Sequence, residues 1–363
     1  MNIVLLLAHS IEEHDQVRLL SSLGYDVFSI GAYADPAHPG DDKRPPIPEA
    51  ADHPELRAAC QTRREEREGR DGPPGDRIDW AKADLPDAVI EWADVLICHH
   101  IEHTWLVPQW SRLRHKRVIW RTVGQSVEHN ERLMRPLRDA GLQIVRYSPK
   151  ERNIPGYLGE DALIRFWKDP AEWGGWTGEA PRIINVTQHL RQREPWTNWG
   201  YWEAATAGLP RVPLGPGSEA IGGPGALDYD TMRQWLRSSR AYLYTGTQPA
   251  SYTLGLIEAM MTGIPVVSIG PSWMRAFPYG PALFEGHELT GKRPGLWGGQ
   301  WVEDDTVRQL DFDDPADARL ALRCLLDDED MARQMGADQR QRAIELFGRE
   351  TVGAAWRDFL GTP

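Results

Sequence analysis

The stretch from Ala241 to Gly270 concentrates groups that can hold a phosphorylated nucleoside. It reads as a strand, the loop Thr245-Gly246-Thr247-Gln248-Pro249-Ala250-Ser251-Tyr252, a helix over Thr253 to Thr262, Gly263, and a second strand over Pro265 to Ile269. A loop that leaves a parallel strand and feeds a helix N-terminus presents open backbone N–H groups and the positive end of the helix dipole, which suit a diphosphate. Ser251, Tyr252, Thr253 and Leu254 are the residues so placed. Glu258 lies further along the helix, where a carboxylate can accept hydrogen bonds from ribose hydroxyls, as acidic residues do in dinucleotide-binding folds. Every doubly wound fold has loops of this kind, so the loop by itself leaves the ligand open.

A second cluster, His99, His100, Glu102 and His103, invites a zinc reading, because histidines four apart on a helix face can share one ion. These residues instead leave the strand Asp94 to His100, and no further ligand is identifiable, so no metal is expected. Six tryptophans, Trp167, Trp173, Trp176, Trp196, Trp199 and Trp202, crowd the middle of the chain. Aromatic faces stack on sugars and bases, yet most of these are expected to pack internally.

The scaffold for these groups is legible in the hydrophobic pattern. Asn2 to His9, Tyr25 to Gly31, Asp94 to His100, Arg117 to Val123 and Leu142 to Tyr147 are short aliphatic runs, separated by helical spacing such as Glu12 to Leu23 and Asn130 to Ala140. A second series follows: strands at Arg182 to Thr187, Arg211 to Leu214, Ala241 to Tyr244 and Pro265 to Ile269, with helices at Trp199 to Ala207, Tyr229 to Ser239 and Leu254 to Thr262. Alternation of this kind predicts α/β architecture with two mostly parallel sheets. Gly156 to Pro181, rich in glycine and proline, reads as an interdomain linker. Residues 35–77 are dense in proline and charge and read as an inserted loop containing one polar helix, either merely solvated or acting as an acceptor lid. The segment Glu345 to Leu360, with Leu346, Phe347, Val352, Trp356 and Phe359, reads as an amphipathic helix that packs on a domain surface.

Composition narrows the partners. The 363 residues are 41% hydrophobic and 26% charged, enough for two domains with their own cores. A net charge of -12 argues against a generally basic surface for nucleic acid. Cys60, Cys98 and Cys324 are an odd number set far apart, which suits neither a disulfide framework nor CxxC metal spacing and points to a reducing cytoplasm. The apolar run Ile3 to Ala8 is too short for a signal-peptide core or a membrane span and reads as a buried first strand.

Ala250-Ser251-Tyr252-Thr253-Leu254-Gly255-Leu256-Ile257-Glu258-Ala259-Met260-Met261-Thr262-Gly263-Ile264-Pro265-Val266-Val267 resembles the donor-site signature of the large retaining glycosyltransferase family 4, which has the GT-B fold. That signature reads E-G-F-G-L, three variable residues, then E-A-M-A-x-G-x-P-V-V. The resemblance makes Glu258 the ribose ligand, while the family's first glutamate, which faces the sugar hydroxyls, falls on Ala250. The family's strand ending in V-G-R, with a lysine five positions after the arginine, aligns on Ile183-Ile184-Asn185-Val186-Thr187 and brings those two diphosphate-facing positions to Gln188 and Arg193. Arg193 is thereby implied to stabilise charge on the leaving diphosphate without a metal. Leu214-Gly215-Pro216-Gly217 resembles the family's glycine-bearing turn beside the nucleotide. Asp94-Val95-Leu96-Ile97-Cys98-His99-His100 resembles the strand D-V-V-H-x-H, so His99 matches the histidine at the reaction centre and is implied to position sugar hydroxyls. The family's G-G-A-E loop has no counterpart in Ala8-His9-Ser10-Ile11-Glu12-Glu13-His14, and the acceptor side is not carried over.

The resemblance implies two Rossmann-like doubly wound domains facing across a cleft: residues 1–165 on the acceptor side, 166–345 holding the donor, and a helix over 346–363 returning to the first domain. It implies transfer of a hexose with retention from a UDP-sugar, or next a GDP-sugar, with no metal or other cofactor. The acceptor stays open among a glycan, a lipid, a small molecule, a protein and a modified nucleic-acid base. Two other classes remain: a nucleotide-sugar epimerase or phosphorylase of the same fold, and a silent nucleotide or sugar binder, motivated by Ala250 and Gln188.

Overall fold

The computed structural model describes residues 1–6, 10–29, 33, 43–71, 84–99, 103–124, 127–291, 295–297, 300–302 and 309–363. The chain divides into two compact units, Met1–Pro149 with Ile154–Trp167 and Val352–Pro363, and Lys150–Asn153 with Lys168–Thr351.

Unit 1 contains β1 (Asn2–Leu6), α1 (Ser10–Ser22), β2 (Asp26–Phe28), α2 (Pro54–Asp71), α3 (Asp87–Trp92), β3 (Val95–Cys98), α4 (His103–Leu113), β4 (Arg117–Arg121), α5 (Glu128–Asp139), β5 (Gln143–Arg146) and β6 (Ala162–Leu163). Its strands pair in parallel in the order β2-β1-β3-β4-β5-β6. Alternate residues serve opposite faces, as a pleated strand requires. Val4, Leu6, Leu96, Cys98, Val118, Trp120 and Ile144 join one core with Leu56, Val89, Leu106 and Met134. Ile3, Leu5, Val95, Ile97, Ile119 and Val145 join the other with Val17, Leu20 and Trp167. Both faces are covered, which explains why the strands read as continuous apolar runs.

The helix expected from Glu12 begins at Ser10, inside the segment Ala8 to His14 read as a loop, and Glu12 to Gln16 are buried; Ala8 and His9 lie outside the described residues. The polar helix expected within 35–77 is α2, while the rest of that insertion outside 43–71 is not described. The breaker-rich passage from Gly156 to Pro181 spans the boundary between the two units at Trp167 and Lys168. Asp161 and Ile164 donate to Ile144 and Arg146 at 2.8 Å, and Thr177 donates to Arg237 at 2.9 Å, so its backbone is fixed in both units.

Unit 2 contains β7 (Ala180–Val186), α6 (Trp199–Ala205), β8 (Arg211–Leu214), α7 (Tyr229–Ser238), β9 (Ser239–Tyr244), α8 (Leu254–Thr262), β10 (Val266–Ser268), the short helices α9 (Gly280–Leu283) and α10 (Gly286–Leu289), the hairpin β11 (Gly295–Trp297) and β12 (Gln300–Val302), α11 (Pro315–Asp327) and α12 (Glu329–Phe347). Its parallel sheet runs β10-β9-β7-β8. Asp228, Asp314 and Asp328 cap α7, α11 and α12 through their carboxylates. Gly263, at φ 92°, ends α8 in the left-handed conformation that disfavours a side chain. On the outer strand, Gln339 of α12 accepts from Val266 N at 2.7 Å and donates to Val266 O at 3.0 Å.

The closing amphipathic segment is broken in two. Gly348 takes an extended conformation after α12, and a separate helix α13 (Arg349–Leu360) follows. Phe347 packs on Tyr252 within unit 2. Val352, Trp356 and Leu360 complete the second core of unit 1.

Candidate functional site

In unit 2, β7 has β8 on one side and β9 on the other, so the strand order reverses between β7 and β9. Open parallel sheets hold ligands outside the carboxyl ends of strands at such a point. The loops leaving these two strands carry the sequence-derived donor residues. They are stitched together: Asn185 Nδ2 donates to Leu243 O at 2.8 Å, Asn198 Nδ2 to Thr245 O at 2.8 Å, and Gln248 N to Trp196 O at 2.8 Å. The Gln248 side chain, nearly buried, donates to Pro195 O at 3.2 Å and accepts from Ala276 N at 2.8 Å.

At the start of α8, Thr253 is extended and makes no side-chain cap, and Thr253 and Leu254 are half-buried. The first-turn N–H groups therefore form the anion-attracting end of a nine-residue helix. Ser251 and Tyr252 are turned inward. Ser251 is fully buried and its carbonyl accepts from Glu285 N at 2.9 Å, and the Tyr252 ring lies 5.6 Å from Phe347. Burial of the Tyr252 ring against Phe347 is favoured by the apolar area it removes from water.

The turn after β8 meets the turn after β7. Gly215, at φ 107°, lies so close that a Cβ would stand 3.3 Å from Thr187 O and 3.5 Å from Gln188 N. His189 N donates to Pro216 O at 2.7 Å, closing the same contact. Arg193 is exposed and its Nη1 reaches the Gln188 carbonyl at 3.4 Å. Gly215 and Arg193 thus both lie against Gln188.

Glu258 lies on α8 with only 7% of its surface exposed. Its Oε1 accepts from Lys168 Nζ at 2.5 Å. Lys168 is itself buried, its backbone N–H donates to Phe347 O at 3.1 Å, and its ammonium stands 5.3 Å from the Trp173 ring centre. Sequence reasoning missed Lys168. The available signal was a lysine directly after Phe166-Trp167, since a lysine drawn into a core needs a partner. Burial also pushes the Tyr242 phenol above its ordinary value; bonding to Val186 opposes this, while Tyr244 and the negative Glu258 add to it.

His99 belongs to unit 1. It follows β3 and donates its N–H to Leu6 O at 3.0 Å, at the β1/β3 reversal of that sheet. Its ring is 0% exposed. His103 opens α4, so His99 and His103 do not share a helix; His100 and Glu102 lie outside the described residues. No cluster of three or more His, Cys, Asp or Glu residues among the described residues could hold a metal. Of the tryptophans, Trp167, Trp173 and Trp202 are buried, whereas Trp196 is 40% exposed and meets Phe277 at 5.3 Å.

Two Rossmann-like units with these sheet orders give the chain the GT-B fold. Sucrose-phosphate synthase (tll1590) from Thermosynechococcus elongatus is similar over 100% of both chains, with TM-score 0.61 and 13% identity. Alr3699/HepE of Anabaena in complex with UDP-glucose is similar over 100% of both chains, with TM-score 0.61 and 12% identity. AviGT4, a glycosyltransferase involved in avilamycin A biosynthesis, covers 99% of this chain and 98% of its own, with TM-score 0.55 and 17% identity. At these identities the likeness is one of fold. No protein-family model matches the sequence, and no curated protein matches it at a significant level.

Proposed function

We propose that the protein is a glycosyltransferase that moves a hexose from a nucleoside diphosphate sugar, UDP-linked or next GDP-linked, to an acceptor hydroxyl with retention and without a metal. The observation that carries this reading is that the strands at one reversal lead into the α8 N-terminus on one side and into the Gln188 turn on the other, where Gly215 and Arg193 lie against Gln188, while Glu258 lies further along α8. In this reading the helix N-terminus and Arg193 hold the diphosphate, and Glu258 accepts from the ribose. That one structural neighbour was solved with UDP-glucose supports a uridine donor.

The bond from the sugar's anomeric carbon to the diphosphate oxygen breaks, and a bond to the acceptor oxygen forms on the same face. The acceptor proton passes to the departing diphosphate. Arg193 and the helix dipole stabilise the charge that builds on the leaving group. His99 is assigned to the sugar hydroxyls. We place the reaction in the cytoplasm; no helix among the described residues is long and apolar enough to cross a membrane.

One observation favours a second reading. Ala250 stands where the resemblance places a sugar-facing glutamate, which suits a protein that binds nucleotide without turnover. Metal-free incubation with a panel of nucleotide sugars, following released nucleoside diphosphate, separates the two. Selective release, abolished by Glu258→Ala and His99→Ala, is the expected result. Nucleotide binding with no release across an acceptor screen establishes the silent binder instead.

A further inference from the structure

Within unit 2, Glu258 and Lys168 are 90 residues apart in sequence and joined at 2.5 Å. The contact uses only one carboxylate oxygen. Among the described residues nothing donates to Oε2, and the glutamate side chain keeps 9% of its surface exposed against 1% for the lysine. Lys168 has little freedom to release its partner, since its backbone is bonded to Phe347 O and its ammonium faces Trp173. A free carboxylate can grip a vicinal diol with both oxygens. One whose Oε1 already accepts from a buried ammonium is held in a fixed direction and presents Oε2 as its unengaged oxygen.

We infer that Lys168 is a positioning residue for nucleotide recognition: it holds Glu258 by Oε1 so that Oε2 alone meets the ribose, making the two ribose hydroxyls unequal. The inference rests on Glu258 being the ribose ligand in the function proposed above. A charged carboxylate loses much affinity when the hydroxyl it bonds is removed. Here that loss falls on one hydroxyl and spares the other.

The test measures dissociation constants by calorimetry for UDP, 2′-deoxy-UDP and 3′-deoxy-UDP, or the guanosine set if UDP does not bind. Wild type is expected to lose about tenfold or more for one deoxy analogue and less than about threefold for the other. Lys168→Met should bring the two analogues within about threefold of each other. Because that variant leaves a buried carboxylate without its partner and can unfold, Glu258→Gln is compared with Lys168→Met/Glu258→Gln, which carries no buried charge at the pair. Their analogue profiles should coincide, since Lys168 acts only through Glu258. A wild type that penalises both analogues equally, an asymmetry that survives Lys168→Met, or a further change of profile in the double variant overturns the inference while leaving nucleotide binding intact. A wild type that binds neither nucleoside diphosphate removes the donor-site reading itself, and the inference with it.

Discussion

Glu131 and Arg146 share two hydrogen bonds, of 2.6 and 2.8 Å, with neither side chain exposed. Leu158 N donates to the same carboxylate at 2.9 Å, and the guanidinium lies 5.1 Å from the Trp120 ring centre and 4.6 Å from that of Tyr157. Removing one partner leaves the other charge buried and uncompensated, a cost of about 3–5 kcal/mol. Glu131→Ala and Arg146→Met should each lower the urea midpoint sharply. The Glu131→Leu/Arg146→Met double variant should recover most of that loss, because an apolar pair has no charge to desolvate.

α12 approaches the end of α8 at a glycine. A Cβ on Gly336 would stand 2.1 Å from the Gly263 carbonyl oxygen, closer than backbone can tolerate. Gly336→Ala should therefore force the helices apart, at about 1–3 kcal/mol. Differential scanning calorimetry checks this, with Gly361→Ala, which meets nothing within 4 Å but has φ 94°, as the comparison for pure backbone strain.

Alkaline pH should weaken the fold. Burial pushes the Cys98 thiol from its ordinary 9.0 up to about 12, and that of Cys60 to about 11 against a smaller opposing effect of Arg57. Both thiols hold their protons more tightly when folded, so their contribution is fully present below pH 9.0 and is lost as pH rises toward those values. Thermal midpoints should fall between pH 9 and 11, and the Cys60→Val/Cys98→Val variant should show a shallower fall. Equal slopes for both proteins would exclude the thiols as the cause.

Arg193 should act on phosphate and not on the nucleoside. Arg193→Ala is expected to weaken UDP binding by about tenfold, the usual worth of one charge-assisted hydrogen bond, and to leave uridine binding unchanged. Added salt should narrow the gap between variant and wild type, since the residue is exposed and its field is screened.

The alternating architecture was legible because parallel strands buried on both faces leave unbroken apolar runs. Arg117 to Val123 and Leu142 to Tyr147 contain β4 and β5, and the expected helix Leu254 to Thr262 is α8. Local signals located the loops but not the facing of their side chains. Nothing in the order Ser251-Tyr252-Thr253 says that the first two turn inward, since that depends on Phe347 nearly a hundred positions later. The partner of Lys168 was illegible for the same reason: only the tertiary fold brings it to Glu258. The helix break at Gly348 was hidden because the apolar spacing on its two sides serves two different cores.

Gln339 has a meaning beyond its two bonds to Val266. β10 is the last strand of its sheet, and an unpaired strand edge is a template on which another chain can add. By occupying both the donor and the acceptor of Val266, and by donating also to Thr290 O at 3.1 Å, one amide side chain imitates the strand that is not there. At Val266 this edge is thereby capped from within the chain, by a helix rather than by another strand.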